Sequence, residues 1–212
     1  DINIQKLEFA SKNSFSFEVD KRFSIKNLKL DSNIDLKNLF FLNDNDFLKR
    51  VLPKFKKQVK FQKHQIKLKY DNDNLYIDGF GEFLIQNKED KIKYKINKLK
   101  KKISFDLGFV IDKNQIDLDF INYQKKENTN LEITISGNKI SDKNYLLKKF
   151  FLKENENQIE ILDLVLINNK IDTFKIIDLN YLDKENLLNK FRISRNDNNY
   201  ILKGDYLNLN KI

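Results

Sequence analysis

Between residues 101 and 123 apolar and polar positions alternate through two successive runs. Ile103, Phe105, Leu107, Phe109 and Ile111 take every second place, and after Asp112-Lys113-Asn114 the pattern resumes at Ile116, Leu118 and Phe120. Successive strand side chains point to opposite faces, so the spacing predicts strands at 102–112 and 115–123, each with one apolar face. The same period predicts strands at 61–70, 75–86, 91–99 and 130–137, then near 158–167, 170–182, 190–195 and 199–209. Short polar clusters such as Asp71-Asn72-Asp73-Asn74 and Asn196-Asp197-Asn198 separate them. Such links are hairpin signals, which makes neighbours in sequence antiparallel neighbours in space.

Residues 1–60 hold shorter alternating runs, Phe15, Phe17 and Val19 followed by Phe23 and Ile25. One helical spacing interrupts them. Phe47, Leu48, Val51, Leu52 and Phe55 predict a short helix near 46–52, capped by Asn45 or Asp46 and stopped by Pro53. Tyr145-Leu146-Leu147 with Phe150-Phe151 fits a short helix or a strand. The predicted fold is mainly β: a long antiparallel meander sheet curled into an open groove or half-barrel, with one or two short helices. Residues 1–212 form a single β-rich unit, with a weak subdivision near 43–60.

So many strands with so few glycines, five in all, do not fit a compact sandwich in which every inner face finds a partner sheet. A meander that curls without closing leaves its apolar face lining a groove, and that face needs an apolar occupant. The candidate lining is Phe105, Leu107, Phe109, Ile116, Leu118, Phe120, Ile133 and Ile135.

Composition sharpens this only in part. The chain opens on Asp1 without a Met and stops inside an apolar-periodic stretch at Lys211-Ile212, so it is expected to be a segment of a longer, repetitive protein. No apolar run approaches the roughly 18 residues of a membrane helix. Zero Cys removes disulfides, thiolate metal sites and Cys nucleophiles without fixing a compartment. The net charge of +9 favours anionic partners in principle. However, Lys alternates with Asp and Glu along most strands, as on a solvated face, and the densest run, Lys98 with Lys100, Lys101 and Lys102, falls at an expected turn.

Candidate chemistry is thin. His64 is the only histidine, so no metal cluster can be built from several of them; at a strand start it is expected on the surface. Gly79-Phe80-Gly81 lacks the third Gly and the helix of a phosphate loop, and reads as relief of crowding or a bulge within a strand. Asp71, Asp73 and Glu82 match three places of a calcium-loop template, which Leu75 and Tyr76 then break. Asp117 with Asp119, and Asp106 with Glu132, have the look of a wet face and not of an acid–base pair. The eighteen Phe residues alternate with Leu and Ile, whereas nucleic-acid binding wants aromatics beside basic groups. No enzymatic activity, cofactor, metal or nucleic-acid partner is expected.

The stretch 199–212 ends a strand on Gly204, passes two residues, and continues with Leu207, Leu209 and Ile212. It resembles a recurring element of the AsmA-like proteins, with Asn208 where that family has Asp. Ile34-Asp35-Leu36-Lys37-Asn38-Leu39 keeps the Asp and lacks the Gly. The Asn-rich hairpins over 60–212 are similar to that family's repetitive strands. The resemblance implies a Gram-negative envelope protein in the periplasm, anchored in the inner membrane by a helix outside this segment. Its long curled sheet would carry phospholipid acyl chains between the inner and outer membranes. The rival expectation is a structural or surface-adhesive β-repeat with a closed core, and a basic nucleic-acid-binding module stands behind it.

Overall fold

The computed structural model describes residues 3–197 and 199–206. Its core is a 13-stranded sheet. The strands are β1 (Asn3–Val19), β2 (Ile25–Leu42), β3 (Gln58–Asp71), β4 (Asn74–Leu84), β5 (Glu89–Leu99) and β6 (Lys102–Ile111), then β9 (Leu131–Ser141), β10 (Asn144–Glu154), β11 (Asn157–Ile167), β13 (Ile176–Leu182), β14 (Leu188–Asn196) and β15 (Asn199–Tyr206). A short β12 (Lys170–Thr173) pairs only with β11. Every pairing is antiparallel, and the order follows the chain. The sheet is a meander, and β1 and β15 do not pair to close it into a barrel. Tyr145, Leu146 and Leu147 belong to β10, so the ambiguous stretch is a strand.

Alternation predicted β3 to β6, β9, β11 and β14 to within a few residues, whereas β1 and β2 run far beyond the short stretches at 15–19 and 23–25, and the strand expected at 170–182 is two, β12 and β13; the most consequential departure follows β6. β6 pairs with β5 and β9, not with residues 115–123. After Ile111 the chain leaves the sheet. It forms β7 (Ile116–Leu118), a 3-10 turn (Asp119–Ile121) and β8 (Tyr123–Lys125), and β7 and β8 make a separate two-stranded ribbon. Asn122 adopts a left-handed conformation (φ 53°), a region Asn enters more readily than most residues. Period-two spacing therefore survives at Ile116, Leu118 and Phe120 although no single strand joins them.

The other excursion is α1 (Asp46–Val51), where Asn45 is the cap: its side chain accepts the Leu48 N–H at 3.1 Å. Pro53 follows the C-cap, Leu52, as its missing N–H requires. Residues 43–57 and 112–130 together form a lip over one edge of the sheet. Val51, Leu52, Ile116 and Tyr123 of the lip pack in one cluster with Phe83, Ile111, Leu131, Leu152, Ile159 and Leu179. Leu131 is fully buried, and burial of a leucine contributes about 1.5–3 kcal/mol.

The opposite edge consists of bare hairpin tips. Asparagines tie two pairs of neighbouring tips: Asn74 Oδ1 accepts the Lys100 N–H at 3.1 Å, and Asn144 Oδ1 accepts the Asn168 N–H at 3.0 Å. Left-handed backbone at Asn72, Asp73, Lys100 and Asn168 closes these tips without glycine, which is how a chain with five glycines makes so many hairpins.

Candidate functional site: an apolar face covered along one edge

Residues directly opposite each other on paired strands share a face, so the register defines the site. Ile34 lies opposite Ile66, Ile66 opposite Gly79, Gly79 opposite Tyr94, and Tyr94 opposite Leu107. The row runs on through Ile135, Phe150, Ile161, Ile177, Ile193 and Leu202. It crosses the sheet from β2 to β15 without a charged residue. A second row, Ile92, Phe109, Ile133, Leu152, Ile159, Leu179 and Phe191, flanks it on the lip side. A third, from Ile77 through Ile96 and Phe105 to Gly137, Leu147 and Leu164, flanks it on the tip side. Strands about 4.8 Å apart make these rows a continuous apolar band.

Five of the eight predicted lining residues meet there. Phe105, Leu107 and Phe109 of β6 stand beside Ile133 and Ile135 of β9, all of them half-buried. Ile116, Leu118 and Phe120 do not join them. Ile116 is buried in the lip cluster, Leu118 packs against it, and Phe120 is 65% exposed on the 3-10 turn. The correction has a simple cause, since these three belong to the cover and not to the face.

The other face is charged. Lys69 pairs with Asp31 at 3.0 Å and Lys149 with Glu160 at 3.0 Å, while Arg192 holds Asp178 across β13 and β14. An open cleft of about 700 Å³ lies on this side among Lys12, Asn33, Asp35, Gln65, Lys67 and Asp78. A second, of about 390 Å³, lies between Glu82, Lys91, Lys93, Gly108 and Glu132. They are troughs between side chains, and in the second the Lys93 stem lies where a Cβ on Gly108 would stand. Two of their carboxylates face lysines: Glu82 takes Lys63 at 3.0 Å, which holds its carboxyl below the usual range, and Asp78 takes Lys95 at 3.8 Å.

The calcium-like trio is dispersed, with Asp71 and Asp73 at the β3–β4 tip and Glu82 well along β4. Asp117 and Asp119 share one cation, Lys184, at 2.5 Å each. Asp106 and Glu132 lie on adjacent strands but out of register, opposite Ser136 and Val110. Among the described residues no group of three or more His, Asp or Glu side chains could hold a metal ion.

Where the lip meets the face, the sheet supplies polar anchors. The Tyr123 hydroxyl donates to Glu154 at 2.6 Å, and burial with that carboxylate pushes the phenol pKa up strongly. Lys125, fully buried, donates to the carbonyl oxygens of Asp112 at 3.1 Å and Asn114 at 2.6 Å. Burial pulls its pKa down, and Asp90 and Glu154 oppose that. Asn114 donates to Asp90 at 2.6 Å, and Tyr181 to the Ile121 carbonyl at 2.7 Å. None of these groups stood out in the sequence. The signal that could have found them is phase: Asp90 and Glu154 are acids where the alternation through Ile92 and Leu152 calls for an apolar residue.

His64 corrects a further expectation, since it is buried on the apolar face. A carbonyl can only accept, so Nε2–H donates to the Glu82 oxygen at 3.0 Å and Nδ1 accepts from Tyr94 Oη at 3.1 Å. Both nitrogens of the neutral ring are satisfied. The two glycines opposite make room, as expected: a Cβ on Gly79 would stand 2.5 Å from the Tyr94 ring and one on Gly81 2.2 Å from the imidazole. Tyr94, desolvated, has its pKa pushed up to about 12.

No helix among the described residues is long and apolar enough to cross a membrane. Leu207, Asn208, Leu209 and Ile212 of the AsmA-like element lie outside the described residues, and Ile34–Leu39 runs through the middle of β2. Compared with protein-family models, curated proteins and solved structures, the chain matches none.

Proposed function

We propose that the chain is a lipid-conducting segment of an AsmA-like envelope protein of the periplasm, with its sheet curled about the apolar face as a groove. Phospholipid acyl chains lie on that face and headgroups stay in water; no residue acts catalytically. The single observation that carries this reading is the uncharged row from Ile34 to Leu202, half-exposed through the middle of the sheet. A buried methylene is worth about 0.8 kcal/mol wherever it sits. An uninterrupted apolar track therefore holds a lipid tail by additive burial and lets it shift from strand to strand without passing a specific contact. A charge in the row breaks that track, which gives the test.

Lipid that co-purifies with the parent is quantified by mass spectrometry, alongside Leu107→Asp on the apolar face and Thr134→Asp on the charged face. The expected result is a folded Leu107→Asp protein depleted of lipid, with Thr134→Asp retaining the parent's complement. A folded Leu107→Asp protein with full lipid refutes the reading. Unfolding of Leu107→Asp favours a structural β-repeat in which this face is a closed core.

A further inference from the structure

Lys98, Lys100, Lys101 and Lys102 surround Leu99 at the β5–β6 tip, on the edge away from the lip. Because β6 pairs with β9, the β9–β10 tip with Ile140 and Lys143 lies beside it. Leu99 stands opposite Lys102, and Ile103 opposite Lys139, so Lys102 and Ile140 are neighbours beyond that pair. Leu99 and Ile140 are each 62% exposed. The tip is held in place by the Lys100 N–H bond to Asn74 and a left-handed Lys100 (φ 55°).

These two tips differ from the lip in how their lysines are paired. On the lip, Lys49 meets Asp44 at 2.6 Å and Lys54 meets Glu127 at 2.5 Å. At the β5–β6 and β9–β10 tips the acid is Asp142, which Lys139 takes at 2.8 Å. Among the described residues no ion pair holds Lys98, Lys100, Lys101, Lys102 or Lys143.

We propose that this pair of tips is a contact surface for an anionic phospholipid bilayer. The lysines take lipid phosphates, and Leu99 and Ile140 enter the boundary between headgroups and tails, as apolar residues beside basic ones do at membrane interfaces. Single-stranded nucleic acid fits less well, because 98–102 and 139–143 offer no aromatic ring for a base to stack on. The proposal places the uncovered edge of the apolar face against the membrane. It does not depend on the face carrying lipid.

Vesicle flotation at low salt tests it, using phosphatidylcholine vesicles with and without an equal share of phosphatidylglycerol. Each lysine near an anionic surface is worth about fivefold in affinity. The parent is expected to float with the anionic vesicles only, and high salt to release it. A K100E/K101E/K102E variant should bind more than about tenfold more weakly, and a K91E/K93E variant, altered on the charged face, should stay within about threefold of the parent. L99S/I140S, with its charges intact, should lose several-fold. Circular dichroism checks that each variant keeps its β structure. Failure of the parent to float overturns the proposal, as does equal loss in both charge variants. So does tighter binding of the parent to a single-stranded oligonucleotide than to the anionic vesicles.

Discussion

Leu131 and Leu107 lie on neighbouring strands of one sheet and point to the same face, yet their surroundings differ. Leu131 sits opposite Ile111 under the lip and is sealed from water. Leu107, opposite Ile135, has only its own face around it and is half-buried. The residue type and the strand period are the same, so the difference lies in the cover. At the covered edge, buried polar groups are bonded one by one: Tyr123 to Glu154, Asn114 to Asp90, Lys125 to two carbonyls. At the uncovered edge asparagines merely join tip to tip. One edge has the chemistry of a folded core and the other that of a surface open to something else.

The largest effect that can break this comparison comes from placing the same charge at both leucines. Leu131→Asp buries an unpaired carboxylate and should cost about 3–5 kcal/mol, a large share of the roughly 5–15 kcal/mol that holds a domain together. Leu107→Asp keeps its carboxylate hydrated and should cost under about 2 kcal/mol. Urea midpoints of the two variants measure the gap. Equal losses would mean that the face is as closed in its middle as beneath the lip.

The strand at 102–111 was legible because every second residue is apolar and nothing shifts its phase. The lip was not. Alternation tells which side chains share a face of a strand; it does not tell which sheet the strand joins, so Ile116 and Leu118 read as a continuation of the face when they form its cover. The length of β1 and β2 was missed for another reason. Register shifts at Ile4/Lys6, Glu8/Phe9 and Ser16/Glu18 put a bulge into the pairing and reset the period each time. Asp163, left-handed at φ 51° within β11, lies across from the place where β10 shifts register against β9, between Leu147 and Lys149. The helix, by contrast, carried a local signal in Asn45 and Pro53, and both act where they were expected.

A smaller effect sharpens the comparison at the anchors. Lys125→Ala removes the donor from the carbonyls of Asp112 and Asn114. Leaving two buried acceptors unpaired should cost about 2–4 kcal/mol. Lys93→Ala, on the exposed charged face, should change stability by under about 0.5 kcal/mol. Hydrogen exchange distinguishes loosening of the lip from global unfolding: amides of 112–130 should lose protection in Lys125→Ala while those of β1 and β2 keep theirs.

The smallest predicted effect concerns His64, which tests how dry the face is near the lip. Burial lowers its pKa below the ordinary 6.5, and the Glu82 carbonyl and charge oppose the shift only in part. The unfolded chain therefore binds a proton at higher pH than the folded one. Between the two pKa values the unfolded state holds more protons, so stability rises with pH through that window. The contribution is complete above about pH 6.5 and is lost as pH falls toward the depressed folded pKa, with a slope of at most about 1.4 kcal/mol per pH unit. With a single histidine in the chain, a slope between pH 7 and 5 that His64→Gln abolishes belongs to this ring. Urea midpoints across that range, for parent and variant, are the measurement. A parent with no more slope than the variant would mean that water reaches the imidazole, and that the dry part of the face ends at the lip itself.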